Sequence, residues 1–275
     1  MSRDRVEAVH RVGAPRVGET SVTQAHVGWG RTDGRKPDAL RPVRFVLDFT
    51  ANPLSSVLCE MGRTKVLCTV TEDSSVPRFL QGSGKGWITA EYSMLPGSTD
   101  RRSEREVTRG RPSGRTQEIQ RLIGRSLRAV AELGGLGERT LWVDCDVLEA
   151  DGGTRTASIT GAYVALHLAI SRLLTRGAFQ RSPLRDSVAA ISVGILNGHA
   201  VLDLPYEEDS RAEVDMNVVA TGSGRFVEVQ GTAEQGTFSP DDLTALTTLA
   251  RRGITELTRL QQAALGSADA GGRVG

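Results

Sequence analysis

A glycine-rich turn after an apolar run is the first place in the chain where chemistry could occur. Residues Leu141 to Leu148 have the composition of a buried strand, and Gly152, Gly153, Thr154 and Arg155 follow at the start of a helical pattern. Backbone N–H groups at a helix N-terminus attract anions, and glycines let that backbone approach a ligand closely. The Arg155 guanidinium group can bind phosphate oxygens in a bidentate manner. The turn therefore predicts a phosphate site, although simple capping of a helix by glycine explains the same residues.

A basic segment lies upstream of this turn. Between Arg101 and Arg115 the chain has six arginines, two glutamates and no lysine, whereas its overall formal charge is only +1. Gly110, Pro112 and Gly114 disfavour a helix, so we expect a mobile loop. Arginine clusters of this kind bind nucleic-acid backbones. The residues expected to contact nucleic acid are Arg101, Arg102, Arg105, Arg109 and Arg111.

An acidic segment of opposite charge, residues 205–215, contains five acidic residues and one arginine between two strand-like runs. Carboxylates crowded at strand ends repel each other unless a cation lies among them, and Mg²⁺ or Mn²⁺ prefers such oxygen ligands. An acidic surface hairpin explains the same composition. Together, the three segments predict phosphoryl transfer on RNA or on a nucleotide.

Composition favours a soluble globular protein. The chain has 275 residues, of which 39% are hydrophobic, and we find no run that approaches a membrane span and no signal peptide, so no membrane partner is expected. Its three cysteines, Cys59, Cys68 and Cys145, form no Cys-x-x-Cys pair and lie in strand-like runs. We expect buried free thiols and a reducing, cytoplasmic location.

Hydrophobic periodicity predicts an α+β fold in which strands followed by helices occur twice. Helices are expected near 116–135, 156–175 and 240–265. Strands are expected near 43–49, 55–61, 64–71, 87–95, 140–148, 188–196, 200–204, 214–220 and 224–230. The predicted organisation is a disordered extension over 1–30, a catalytic domain over 31–265 with halves of about 31–176 and 177–265, and a disordered tail over 266–275.

The same segments resemble one known family. The resemblance to the ribonuclease PH family extends from about Arg31 to about Leu265, and the residues before Arg31 have no counterpart in it. It is carried in order by Leu40-Arg41-Pro42-Val43, Gly86-Trp87-Ile88-Thr89-Ala90-Glu91-Tyr92, residues 114–125 (GRTQEIQRLIGR), residues 144–157 (DCDVLEADGGTRTA), Glu208-Asp209-Ser210, Asp215-Met216-Asn217-Val218-Val219 and residues 228–234 (EVQGTAE).

The resemblance implies a phosphate-dependent 3′-to-5′ exoribonuclease that trims tRNA precursors, with ribosomal RNA as a further substrate class, and releases nucleoside diphosphates reversibly. It implies a duplicated β-α-β core like the second domain of ribosomal protein S5, and a ring-shaped homohexamer built as a trimer of dimers. By position, Arg115, Gly153, Thr154 and Arg155 match the family's phosphate-binding residues. Asp209 and Asp215 match its catalytic, metal-associated carboxylates.

These expectations give a mechanism in which bound inorganic phosphate attacks the last phosphodiester in line. Mg²⁺ or Mn²⁺ on Asp209 and Asp215 would stabilise the developing charge, and either one of these carboxyls or a water on the metal would protonate the leaving oxygen. Two alternatives stay open. A hydrolytic, metal-dependent ribonuclease would release monophosphates, and a non-catalytic RNA-binding ring subunit would release nothing.

Overall fold

Two β-sheets with helices packed against them make up the fold of the residues that are described in the computed structural model, which are 30–234 and 236–271. The extension predicted to be disordered therefore lies outside the described residues, apart from residue 30, and so do residues 272–275 of the predicted tail. The described residues from Arg31 onwards form one compact unit.

The first sheet has five strands in the order β1-β2-β3-β5-β4. They are β1 (Val43–Leu47), β2 (Ser55–Met61), β3 (Thr64–Asp73), β4 (Trp87–Met94) and β5 (Thr140–Glu149). Strands β4 and β5 are parallel, whereas the other neighbours are antiparallel. The turn predicted between β2 and β3 is present, and Gly62 has a φ of +60° there, which glycine adopts without strain.

The second sheet has four antiparallel strands in the order β7-β6-β8-β9. They are β6 (Val188–Leu196), β7 (His199–Leu202), β8 (Val214–Thr221) and β9 (Phe226–Ala233). All nine strands predicted from the sequence are present, with ends shifted by at most a few residues. The α+β class is therefore confirmed.

Helix α2 (Thr154–Thr175) is the central element, because it packs against β2, β3 and β5 of the first sheet and against β6 of the second. A helix with protein on several sides must be apolar around most of its circumference. Its length and apolar composition are consequently those of a membrane span, although most of the helix is buried within the protein. By length and composition alone, this helix could cross a membrane. The prediction that no run approaches a membrane span is therefore wrong for it.

The other helices differ from their predicted bounds. Helix α1 (Gly114–Ala129) begins at the cap Ser113 and ends earlier than predicted, because Ala131 pairs with Leu184 and a 3₁₀ helix occupies Leu133–Leu136. The one-turn helix α3 (Tyr206–Asp209) was not predicted.

The C-terminal helix α4 (Pro240–Gly271) packs against β6, β7 and β8. The buried Gln261 amide donates to the carbonyls of Thr160 and Val188, at 2.9 and 3.0 Å, and so fixes α4 to α2 and β6. The helix continues beyond Leu265, so the prediction of disorder from residue 266 is wrong as far as Gly271, where the helical hydrogen bonding persists.

Candidate active site

An open cavity of about 650 Å³ gathers residues from both sheets and from three helices. Each candidate phosphate-binding and carboxylate residue lines it, together with one of the candidate RNA-binding arginines. These lining residues are Arg115, Gly153, Thr154, Arg155, Asp209, Asp215 and Arg101. The three segments singled out in the sequence thus meet in space.

The phosphate turn lies where β5 ends and α2 begins. Gly152 and Gly153 have φ values of +73° and +65°, in the left-handed region that favours glycine. Gly153 is the N-cap of α2 and provides no side-chain cap, and the Ala157 N–H donates to the Gly153 carbonyl. The N–H groups of residues 154–156 precede that first helical bond, so they remain available to an anion. Capping and anion binding are therefore compatible uses of the same two glycines.

A buried ion pair holds this turn in place. The Arg41 guanidinium group binds the Asp203 carboxylate at 2.7 Å and also donates to the carbonyls of Asp151 and Gly152. Burial alone would raise the pKa of Asp203, but the adjacent Arg41 charge holds it below its ordinary value. Thr64 adds a hydrogen bond from its hydroxyl to the Gly152 carbonyl, at 2.7 Å. In the sequence, Arg41 stood in a family motif without a role, and Asp203 was not singled out.

Tyr92 orients the threonine of the turn. Its phenol donates to Thr154 Oγ1 at 2.9 Å, and both side chains are buried. Because this oxygen already accepts from Tyr92, the Thr154 hydroxyl hydrogen can point to a ligand in the cavity. Tyr92 was not identified as a site residue from the sequence, since only its position on a strand facing the turn gives it this role.

The two candidate phosphate-binding arginines differ in their exposure to solvent. Arg155 is largely buried and donates to Gln230 Oε1 at 2.7 Å, while the Gln230 amide donates to Glu118 at 2.8 Å. Arg115 is exposed and is the second residue of α1, rather than preceding the helix as predicted. Burial raises the pKa of the Asp209 carboxyl, and the positive charges of Arg115 and Arg155 oppose that rise. Both guanidinium groups therefore lie close enough to act on this carboxyl.

Two carboxyl groups face the cavity from different elements. Asp209 is the last residue of α3, and Asp215 lies on β8 opposite Gly194 of β6. Burial raises the pKa of Asp209, and burial followed by the Asp209 charge raises the pKa of Asp215 to about 6. Two half-buried carboxylates that repel each other in this way are stabilised when a proton or a cation lies between them.

The remaining acidic residues of segment 205–215 point elsewhere. Glu208 is fully buried and binds Arg31 at 2.6 Å, and Arg31 also donates to the carbonyls of Leu202 and Asp203. Glu207 is exposed and pairs with Arg211. The segment is therefore not one acidic hairpin, because a buried ion pair anchors its middle while, of its acidic residues, the two aspartates alone line the cavity.

The carboxyl pair fits a divalent cation in one further respect. Asp215 Oδ1 is buried without a hydrogen-bond partner, and an unsatisfied buried carboxylate oxygen is costly unless a cation or a proton accompanies it. Within the described residues there is no group of three or more His, Cys, Asp or Glu side chains that could hold a metal. An ion bound here would take its other ligands from water and phosphate oxygens, as Mg²⁺ commonly does.

The candidate RNA-binding arginines do not form a single group. Arg101 lines the cavity, whereas Arg102, Arg105 and Arg111 are exposed on the adjoining segment. The segment is not entirely a loop, because Glu106–Arg109 form a 3₁₀ helix in which Glu106 accepts a hydrogen bond from Thr116. The side chain of Arg109 lies outside the described part of the structure.

Comparison with known proteins identifies the class to which this fold and site belong. Residues 39–171 match the first domain of the 3′ exoribonuclease family, and residues 186–253 match its second domain. Ribonuclease PH of Bacillus subtilis is 59% identical over 237 residues, which cover 86% of this chain and 97% of that protein. Ribonuclease PH of Corynebacterium kroppenstedtii is 58% identical over 235 residues, or 86% of this chain and 92% of that protein. The chain therefore belongs to the ribonuclease PH family.

Solved structures with the same fold are more distant in sequence. Rice (Oryza sativa) Rrp46 superposes with a TM-score of 0.69 at 20% identity, covering 86% of this chain and all of that one. The Archaeoglobus fulgidus exosome with RNA bound to the active site gives 0.69 at 19% identity, covering 84% of this chain and 92% of that one. At such identities the likeness concerns the fold alone.

Proposed function

We infer that the chain is a phosphorolytic 3′-to-5′ exoribonuclease that processes tRNA and acts as a tRNA nucleotidyltransferase. The observation that carries this inference is one cavity that combines an anion-binding helix start with a pair of carboxyl groups, in a chain 59% identical to a ribonuclease PH. We propose that it trims the 3′ ends of tRNA precursors and also acts on ribosomal RNA.

The residues of the cavity account for binding and attack of inorganic phosphate. The N–H groups at the start of α2, the Thr154 hydroxyl and the guanidinium groups of Arg155 and Arg115 hold the anion. One of its oxygens forms a bond to the last phosphorus of the RNA, while the bond from this phosphorus to the penultimate 3′-oxygen breaks in line. The products are a nucleoside diphosphate and an RNA shortened by one nucleotide.

We propose one carboxyl of the Asp209–Asp215 pair as a donor of the proton that the leaving 3′-oxygen takes up, because burial raises the pKa of both groups, that of Asp215 to about 6, when no cation is bound. The same pair would hold Mg²⁺ or Mn²⁺, which stabilises negative charge that develops during phosphoryl transfer. Chelation tests this assignment. EDTA should abolish turnover and added Mg²⁺ should restore it, and full activity after exhaustive chelation would exclude a metal requirement.

Product analysis tests the proposed reaction. A 3′-extended RNA is incubated with and without inorganic phosphate, and the released nucleotide is identified. Phosphorolysis yields diphosphates only when phosphate is present, and an excess of nucleoside diphosphate should extend RNA 3′ ends because both directions share one transition state. Monophosphates released in phosphate-free buffer would instead establish the hydrolytic alternative, and no release at all the non-catalytic one.

We propose that the exposed arginines guide RNA, because cationic side chains on an irregular surface segment can follow a phosphate backbone. Replacing Arg102, Arg105 and Arg111 together by alanine should weaken binding of tRNA precursors and flatten its salt dependence by about 0.7–0.9 in slope for each RNA phosphate that is no longer neutralised. Arg115→Ala is the matched variant, and it should raise the KM for inorganic phosphate with little change in salt dependence. If the two variants changed the KM for phosphate and the salt dependence of RNA binding equally, the proposed difference in role between Arg115 and the exposed arginines would be refuted.

We propose a homohexameric ring, built as a trimer of dimers, as the working assembly. The proposal is supported by family membership and by a fold shared with an exosome subunit structure. Sedimentation equilibrium should give about six chains per particle, and a stable, fully active monomer would contradict it.

We also propose a cytoplasmic location, supported by three free, buried cysteines, which cell fractionation tests.

A further inference from the structure

One aromatic side chain has an unusual position at the cavity. Tyr206 is 65% exposed, and among the exposed large hydrophobic residues of the described chain it is the one that lines the cavity. An exposed aromatic ring gains nothing from burial in the folded protein. At the edge of a nucleotide-sized cavity, its flat face is instead available to another flat ring.

The backbone beneath this ring is firmly held. Tyr206 N–H donates to the Asp151 carboxylate at 3.3 Å, and Glu208, two residues further on, is fixed by its buried pair with Arg31. Tyr206 is also the first residue of the one-turn helix that ends at Asp209. The ring therefore projects from a support that is rigid at both ends.

The same backbone touches the phosphate turn. A Cβ atom placed on Gly152 would lie 2.8 Å from Tyr206 N and 2.5 Å from the Leu204 carbonyl oxygen. The turn and the segment that carries the ring are thus packed together without space for a methyl group. This contact fixes the position of the Tyr206 backbone relative to the anion site at Thr154.

We propose that Tyr206 forms a nucleobase subsite, on which the base of the 3′-terminal nucleotide, and of the nucleoside diphosphate in the reverse reaction, stacks. This inference rests on the proposed function, since it assigns a further residue to the same cavity. Stacking on an aromatic ring accepts any base, because every base has a π-face. Such a subsite grips the terminal nucleotide without selecting its sequence, which is what stepwise trimming of different 3′ ends requires.

The test measures binding of ADP to the purified protein by calorimetry, so it does not depend on turnover. Tyr206→Ala should raise the Kd for ADP by about 5- to 150-fold, the range for removal of one base–aromatic stack, and Tyr206→Phe should recover most of the affinity. Phe49→Ala is the matched control, because Phe49 is also exposed, by 48%, and lies outside the cavity lining. Its Kd should equal that of the wild type.

A second measurement separates stacking from a general disturbance of the site. The KM for inorganic phosphate should be unchanged in Tyr206→Ala, and RNA ending in an abasic ribose should bind the wild type and Tyr206→Ala equally well. If the variant instead weakens binding of abasic and adenosine ends to the same degree, or if ADP binding stays within twofold of the wild type, the subsite does not exist. Failure of the wild type to release diphosphates would refute the proposed function instead, whatever the ADP affinities.

Discussion

Replacement of Gly152 by alanine tests whether the phosphate turn and the carboxylate segment must stay in contact. The new Cβ atom would lie 2.5 Å from the Leu204 carbonyl oxygen and 2.8 Å from Pro205 C and Tyr206 N. All three are backbone atoms and cannot rotate aside. Moving the first contact to the 3.0 Å at which real Cβ contacts begin requires a shift of at least half an ångström.

That shift separates the anion site from Asp209, which lies three residues beyond Tyr206. A misplacement of about 1 Å can cost about 10²-fold in rate, so we expect Gly152→Ala to lower turnover by about 10- to 100-fold. The left-handed backbone, with a φ of +73°, adds about 1–2 kcal/mol of strain. Gly177→Ala is the matched control, because Gly177 has a φ of +76° and nothing within 4 Å of its added Cβ.

The assay compares kcat for phosphorolysis with the free energy of unfolding from urea titration. Gly177→Ala should lose stability from strain but keep its turnover, whereas Gly152→Ala should lose both. If the two variants lose equal stability and both retain wild-type turnover, the contact between turn and carboxylate segment has no role in positioning the site.

Two further substitutions address charge. Asp215→Asn keeps the shape of the side chain but removes its charge, so turnover should fall by about 10²-fold or more while RNA affinity persists. Glu213→Gln on the same segment is the control and should keep its turnover. Full activity of Asp215→Asn at saturating Mg²⁺ would exclude this carboxylate from the mechanism. Asp203→Asn leaves the Arg41 charge buried without its partner and should destabilise the protein by about 3–5 kcal/mol at pH 7. Because the pKa of Asp203 is lowered in the folded protein, its contribution is fully present above the unfolded pKa of about 3.9 and is lost as the pH falls through the folded value. The gap between wild type and variant should therefore narrow in acid, and a gap independent of pH in urea titrations would contradict the ion-pair explanation.

The strands and the phosphate turn could be predicted because their signals are local. Alternating apolar residues set the strands, and the sequence Gly152-Gly153-Thr154-Arg155 after an apolar run is itself the strand–turn–helix of an anion site. The start and end of α1 were less accessible. The helix stops at Ala129 because the following residues pair with Leu184, a contact between distant parts of the chain that periodicity does not register.

The supporting shell of the site could not be predicted for the same reason. Arg41 and Asp203 are 162 positions apart, and Tyr92 reaches Thr154 across 62 positions. In the acidic segment, composition alone gives five equivalent carboxylates. The fold distinguishes them, since Glu208 turns towards Arg31 while Asp209 and Asp215 face the cavity.

The ion pair between Arg31 and Glu208 joins positions 177 residues apart and has a consequence for the synthesis of the chain. As the polypeptide leaves the ribosome, Arg31 and then the phosphate turn emerge well before Glu208 and the rest of the carboxylate segment. A nascent or prematurely ended chain without residues 203–215 therefore lacks the acidic half of the site and also Asp203, the partner of the Arg41 side chain that holds the phosphate turn. We therefore expect incomplete copies of the chain to be unable to degrade the RNA that surrounds them during translation.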